Sequence, residues 1–328
     1  MDSKTRMHPG KAARHIIVVL LLCMALAACG GSSGKSGSAP APPPAQLDVK
    51  TDQKLPTAPH LFDVYRSTNA NNAIIFLHGF GVNKHHAAYQ FGVNKSDIDS
   101  DYSTINGDLL LSNKVMAIFP QGQAVPATPQ AYTWSNYVTN SGQDDMQFIR
   151  DLVSFISAQY GITHFFIVGH STGGMLVNRI WCESPDLFDS YVAVAGPPSE
   201  HFLDQSTPCS PAEAKPYLGI VRSQDSTLGV SGNWEAQTWT INLSSLTPAD
   251  AGGAFIDPVV IGERYFLPFR VAKGCGEDVK DGDASATTSG TITTWSFCGN
   301  SIKLLRDQST SDDLEAMQKT IWQFVSPQ

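Results

Sequence analysis

Residues Phe165–Gly174 read FFIVGHSTGG, an apolar run that leads straight into Gly-x-Ser-x-Gly and on into a helical pattern over Gly173–Cys182. A serine between two such glycines, with a strand before it and a helix after it, lies on a turn so sharp that the backbones around it leave no room for side chains, and its hydroxyl is pushed out over the sheet. The rest of the chain agrees with a sheet of that kind. Ala73–Leu77, Val115–Phe119, Phe165–Val168, Tyr191–Val194 and Tyr217–Val221 are near-continuous apolar runs, which suits central strands covered on both faces. Between them, Asp144–Ala158 sets Met146, Ile149, Leu152, Val153 and Ile156 at helical spacing, and an amphipathic helix closes the chain at roughly Asp312–Val325. Strand and helix patterns alternating in this way predict an α/β architecture, a mostly parallel central sheet with helices on both faces. Asp144 and Asp145 open the long helix as capping acids, and Thr287–Thr294 is a polar hairpin candidate.

The N-terminus carries different information. Lys4, Arg6, Lys11 and Arg14 precede the apolar run Ile16–Ala28, which is shorter than the ~20 residues that span a bilayer. This is the pattern of a signal peptide over residues 1–28. It ends in Leu26-Ala27-Ala28-Cys29-Gly30, which resembles a bacterial lipobox with Cys29 as the lipidated mature N-terminus. Acyl chains contribute ~0.8 kcal/mol per buried methylene, so two or three of them give a durable anchor. Gly/Ser-rich and then Pro-rich sequence follows to residue 45, a composition that cannot bury a core and acts as a tether. A single folded domain is expected over residues 46–328. Its location would be the cell envelope, lipid-anchored to a bacterial membrane and facing the periplasm or exterior.

Loss of residues 1–28 removes four basic residues and Asp2, taking the formal charge from −8 to −11. No basic stripe remains, so nucleic acid is excluded as an expected partner. Beyond Cys23 and Cys29 stand Cys182, Cys209, Cys275 and Cys298. None has the close spacing of a zinc site or a redox dithiol, which favours structural disulfides in an oxidising compartment, though spacing does not choose among the three pairings. No metal cluster or phosphate loop is found, and no cofactor is expected.

A second motif, Leu77-His78-Gly79-Phe80-Gly81, follows the first strong strand directly. Together the two motifs resemble the α/β-hydrolase fold. There the turn after this strand supplies one backbone N–H to an oxyanion hole and the residue after the nucleophile supplies the other. The resemblance gives Ser171 as nucleophile with the Phe80 and Thr172 amides as donors. It sharpens over Gly173–Phe188 (GGMLVNRIWCESPDLF) and Val192–Gly196 (VAVAG), which are similar to the poly(3-hydroxybutyrate) depolymerase and feruloyl-esterase-like group of secreted esterases. That likeness covers roughly Ala73–Val325, weakly over Gly229–Glu263. It implies disulfides Cys182–Cys209 and Cys275–Cys298, and small or polymeric carboxylic esters as substrates.

The catalytic acid belongs just past Tyr217–Val221, where Asp225 stands in Arg222-Ser223-Gln224-Asp225-Ser226; Asp257, Asp278 and Asp281 fit the order less well. The general base is missing from its place. The family's histidine loop precedes the last helix, yet Ile302–Asp313 contains no imidazole, and none of the nine histidines follows His201. A serine hydroxyl needs a base, and imidazole is the side chain whose ordinary pKa suits proton exchange near neutrality. A carboxylate such as Asp307 is too weak without a large upward shift. His78 reads as a brace for its own turn and His170 as diverging from Ser171, which leaves His201 and His85 as weak alternative bases. Trp134 and Tyr137 either stack on a substrate ring or pack. The sequence therefore supports a serine ester hydrolase, with a catalytically impaired binding lipoprotein as the alternative.

Overall fold

The computed structural model describes residues 44–125, 128–137, 139–196, 198–203, 209, 211, 215–222, 270–271, 273–276, 286–307 and 314–326. Strands β1 (Leu47–Lys54), β2 (Leu61–Ser67), β3 (Asn72–Leu77) and β4 (Val115–Pro120) are followed by a small separate hairpin, β5 (Gln123–Val125) and β6 (Thr128–Thr133). Then come β7 (His164–His170), β8 (Ser190–Val194), β9 (Tyr217–Arg222), β10 (Ala286–Ser289), β11 (Ile292–Phe297) and β12 (Ile302–Asp307). All but β5 and β6 join one sheet in the order β1-β2-β4-β3-β7-β8-β9-β12-β11-β10. The six inner strands from β4 to β12 run parallel to one another, whereas β1, β2, β10 and β11 add antiparallel edges.

The apolar runs are continuous because successive residues serve opposite cores. Ala73, Ile75 and Leu77 of β3 enter one hydrophobic cluster with Ile149 and Leu152 of α3 (Asp145–Tyr160) and Leu176 and Ile180 of α4 (Thr172–Glu183). Ile74 and Phe76 enter the other, with Phe91 just after α1 (Lys84–Gln90), Leu110 of α2 (Gly107–Asn113) and Ile321 and Trp322 of α5 (Leu314–Val325). A strand buried on both faces cannot alternate polar with apolar residues. The edge strand β1, reading LDVKTDQK, is polar for the complementary reason: much of it faces water.

Local differences from the sequence reading have simple causes. The stretch after Gly122 contains the short hairpin β5–β6, which is too brief and too polar to signal itself. Asp144 caps α3 by accepting from the Gln147 N–H at 3.0 Å, but Asp145 turns inward, fully buried, to face His60. Cys182 is bonded to Cys209 and Cys275 to Cys298, the pairs that the esterase resemblance implies. Among the described residues, no helix is long and apolar enough to cross a membrane.

Candidate active site

Ser171 joins the end of β7 to the start of α4 with φ 51° and ψ −121°. A non-glycine residue held there stores roughly 1–3 kcal/mol of strain and persists only where its surroundings over-determine it. They do so here. The Ser171 N–H donates to the Val194 carbonyl at 2.8 Å, tying the turn to the exit of β8. A Cβ on Gly173 would lie 2.6 Å from the His78 carbonyl oxygen, and one on Gly196 would lie 2.5 Å from that of Ser171. Three chain segments, the exits of β3, β7 and β8, thus cross at backbone contact, and the glycines are there because nothing larger fits.

The crossing brings the β3 exit turn against the serine. A Cβ on Gly79 would stand 3.2 Å from Ser171 Cβ. Phe80, next in that turn, exposes half its surface (51%), and Ser171 is half-buried. Thr172 begins α4, so its amide is among those that helix geometry leaves without an intrahelical acceptor, at the positive end of the helix dipole.

His78 is a fixture of this turn. Its ring is fully buried, and burial pushes its pKa down to about 4 against a small upward pull from the Gly79 carbonyl. Nε2 accepts from the Gly122 N–H at 2.9 Å, with Gln121 Nε2 at 3.0 Å, so the proton sits on Nδ1, which donates to the Gly79 carbonyl at 2.7 Å. That carbonyl shares a rigid plane with the Phe80 N–H, so holding one aims the other. Both ring nitrogens are committed, and the imidazole cannot serve Ser171.

The other histidines have separate places. The His85 Nε2 meets the Tyr102 hydroxyl at 3.2 Å beside Lys84, whose ammonium bonds both oxygens of buried Asp63 at 2.6 Å. Burial, and then the Lys84 charge, hold the His85 pKa below its ordinary value. His201 lies in the 3₁₀ turn Glu200–Leu203, and its ring stacks on Tyr137 at 3.9 Å. The Arg179 guanidinium lies 4.2 Å from the same ring. Two planar groups that close must take opposite faces, so Tyr137 has no face left for a substrate ring. Trp134 is fully buried and packs, its indole N–H donating to the His78 carbonyl at 2.9 Å. Ser171 makes no side-chain capping bond, and among the described residues no side chain hydrogen-bonds its Oγ.

Topology fixes where the remaining groups would come from. Ser171 follows β7, Asp225 follows β9, and six residues separate the end of β12 at Asp307 from the start of α5 at Leu314. Asp225 and residues 308–313 lie outside the described residues. In sequence that segment reads Gln-Ser-Thr-Ser-Asp-Asp.

Eight strands in the order β1-β2-β4-β3-β7-β8-β9-β12, antiparallel only at β2, with a strained serine turn after the fifth in chain sequence, decide the fold. The chain has the α/β-hydrolase fold. A family model described as alpha/beta hydrolase fold matches residues 72–208 of the chain. No curated protein matches it. Among solved structures it is similar to LpqC, a poly(3-hydroxybutyrate) depolymerase from Bordetella parapertussis, at 14% identity and a TM-score of 0.47, covering 87% of this chain and 92% of that one. It is similar to esterase PE8 at 14% identity and TM-score 0.46, over 78% of this chain and 94% of the other. A ferulic acid esterase aligns at 14% identity and TM-score 0.33, covering 46% and 58%.

Sequence reasoning singled out Ser171, Thr172, Phe80 and His78, and the structure brings these four together. It missed Asn136, whose side-chain amide donates to the Thr172 carbonyl at 2.8 Å, and the buried His60–Asp145 contact at 2.6 Å. No sequence motif marks either of them.

Proposed function

We propose that this α/β-hydrolase is a serine hydrolase of carboxylic esters, carried on the cell envelope by lipid on Cys29. The observation that supports the reading best is the strained Ser171 turn set against the Gly79–Phe80 peptide and the first amide of α4. In this reading Ser171 Oγ attacks the acyl carbonyl, and the Phe80 and Thr172 N–H groups take the oxyanion. The tetrahedral intermediate then expels the alcohol, and water releases the acid from the acyl-serine. Asp225 orients the base. With His78 locked and His85 engaged by Tyr102, this reading takes His201, stacked on Tyr137, as its base candidate. The acyl substrate is a small or polymeric ester.

One observation favours a second reading, a binding lipoprotein with impaired chemistry: the segment between β12 and α5 contains no histidine. Turnover of p-nitrophenyl butyrate separates the two. Hydrolysis lost in Ser171→Ala supports the enzyme; equal background rates in both proteins support the binder.

A further inference from the structure

One short stretch running out of the end of β6 reaches both sides of the serine turn from alternate residues. The Tyr132 carbonyl accepts from the Gly81 N–H at 2.9 Å, the Trp134 indole N–H donates to the His78 carbonyl at 2.9 Å, and Asn136 Nδ2 donates to the Thr172 carbonyl at 2.8 Å. Trp134 and Asn136 are wholly buried. The turn that carries Phe80 and the helix end that carries Thr172 come from distant parts of the chain, and this stretch bonds them both.

The stretch is held from behind by Asp145. Its Oδ2 accepts from the Ser135 N–H at 2.5 Å and the Ser141 hydroxyl at 2.6 Å, and its Oδ1 meets His60 Nε2 at 2.6 Å. A carboxylate with no exposed surface is tolerated only when its oxygens are filled in this way. His60 Nδ1 is buried without a hydrogen-bond partner, and the ring stacks on Phe148 at 4.0 Å. An N–H there would be an unsatisfied donor, so the proton belongs on Nε2, and His60 is the third donor to Asp145.

The structure assigns Trp134, Asn136 and Asp145 as positioning residues, a strut that sets the distance between the Phe80 and Thr172 amides. The assignment rests on reading those amides as the oxyanion donors. An oxyanion hole acts only with its donors about 2.7–3.1 Å from the developing charge. Two donors from separate elements hold that spacing only if something ties the elements together. None of the three side chains touches the reacting atoms.

Variants of the full chain that each remove one of these hydrogen-bonding groups test this. Trp134→Phe removes the donor to His78, Asn136→Asp the donor to Thr172, and Asp145→Asn one acceptor behind both. Amide hydrogen exchange read by mass spectrometry should rise over residues 77–83 in the first, over residues 170–177 in the second, and over both in the third. With p-nitrophenyl butyrate, each should lower kcat about ten- to hundred-fold while KM stays within about two-fold. Wild-type exchange in both segments of Asp145→Asn, or loosening confined to residues 132–141, overturns the strut. A wild-type chain without Ser171-dependent turnover overturns the esterase reading instead, and the exchange pattern still decides the strut. Should Asp145→Asn fail to fold, the segment-specific responses of the other two variants decide it.

Discussion

Replacing Gly196 by alanine puts one methyl group into the crossing on which the site depends. The new Cβ would lie 2.5 Å from the Ser171 carbonyl oxygen and 2.6 Å from both Cα and the carbonyl carbon of Gly174, all backbone atoms that no rotamer change can move aside. Ordinary contact begins near 3.4 Å, so the β8 exit and the serine turn must separate by about 0.9 Å. Overpacking of this kind costs about 1–3 kcal/mol, a drop of several degrees in Tm for a chain of this size. The larger effect is on chemistry, where a displacement of about 1 Å at the reacting centre costs about a hundred-fold in rate. Gly161→Ala is the control. Gly161 ends α3 at φ 70° with open space around it, so alanine there costs about 1 kcal/mol of stability and leaves the site alone. Thermal unfolding and p-nitrophenyl butyrate hydrolysis of both variants read the two effects separately. Gly196→Ala should be folded and about a hundred-fold slower, and Gly161→Ala less stable with wild-type turnover. A Gly196→Ala protein within two-fold of the wild-type rate would refute the claim that this crossing positions Ser171.

Three further outcomes are expected. Ser309→His places an imidazole in the segment after β12 and should raise ester turnover about a hundred-fold or more, since a missing triad member can cost about a million-fold; an unchanged rate means that residues 308–313 do not approach Ser171. Because the folded His78 pKa is depressed to about 4, the unfolded chain binds the extra proton first as pH falls below about 6.5, so this group's stabilisation is whole above 6.5 and is lost between there and about 4. The loss is about 3 kcal/mol, and Tm measured from pH 7 to 4 should fall less steeply in His78→Gln than in wild type; parallel curves exclude His78 as the cause. Cys29→Ala should leave the membrane fraction for the soluble one, and unchanged fractionation removes the lipid anchor.

Five of the six inner strands are legible in sequence because burial on both faces forbids polar residues, and their bounds differ from the apolar runs by a residue or two at most ends; the sixth, β12 (Ile302–Asp307, IKLLRD), carries Lys303, Arg306 and Asp307 and occupies half of the stretch read as the histidine loop. The edge at β1 is not legible for the same physical reason reversed: its sequence LDVKTDQK carries charge because water accepts it, whereas the polar hairpin read over Thr287–Thr294 lies within the β10–β11 pair at the opposite edge. Glycine spacing exposes the serine turn, since the close approach of Gly173 to the His78 carbonyl excludes every other residue. The parts that hold the turn in place leave no such trace. Trp134 and Asn136 act through single hydrogen bonds to backbone carbonyls that the fold brings near, and nothing in their own neighbourhood announces it. Asp144 and Asp145 are identical in sequence terms, yet one caps a helix and the other is buried against His60, a difference set by which way the first turn of α3 faces. His85, a candidate base by position, is drawn instead into the group around Lys84, Asp63 and Tyr102.

Whether Ser171 is an activated nucleophile is tested most directly by its reaction with a fluorophosphonate, which phosphonylates serines that an enzyme has made reactive. Tryptic mapping of the treated protein should place a single adduct on the peptide containing Ser171, and none in Ser171→Ala. An unmodified Ser171 peptide after prolonged exposure, or an adduct on another serine, would contradict the account.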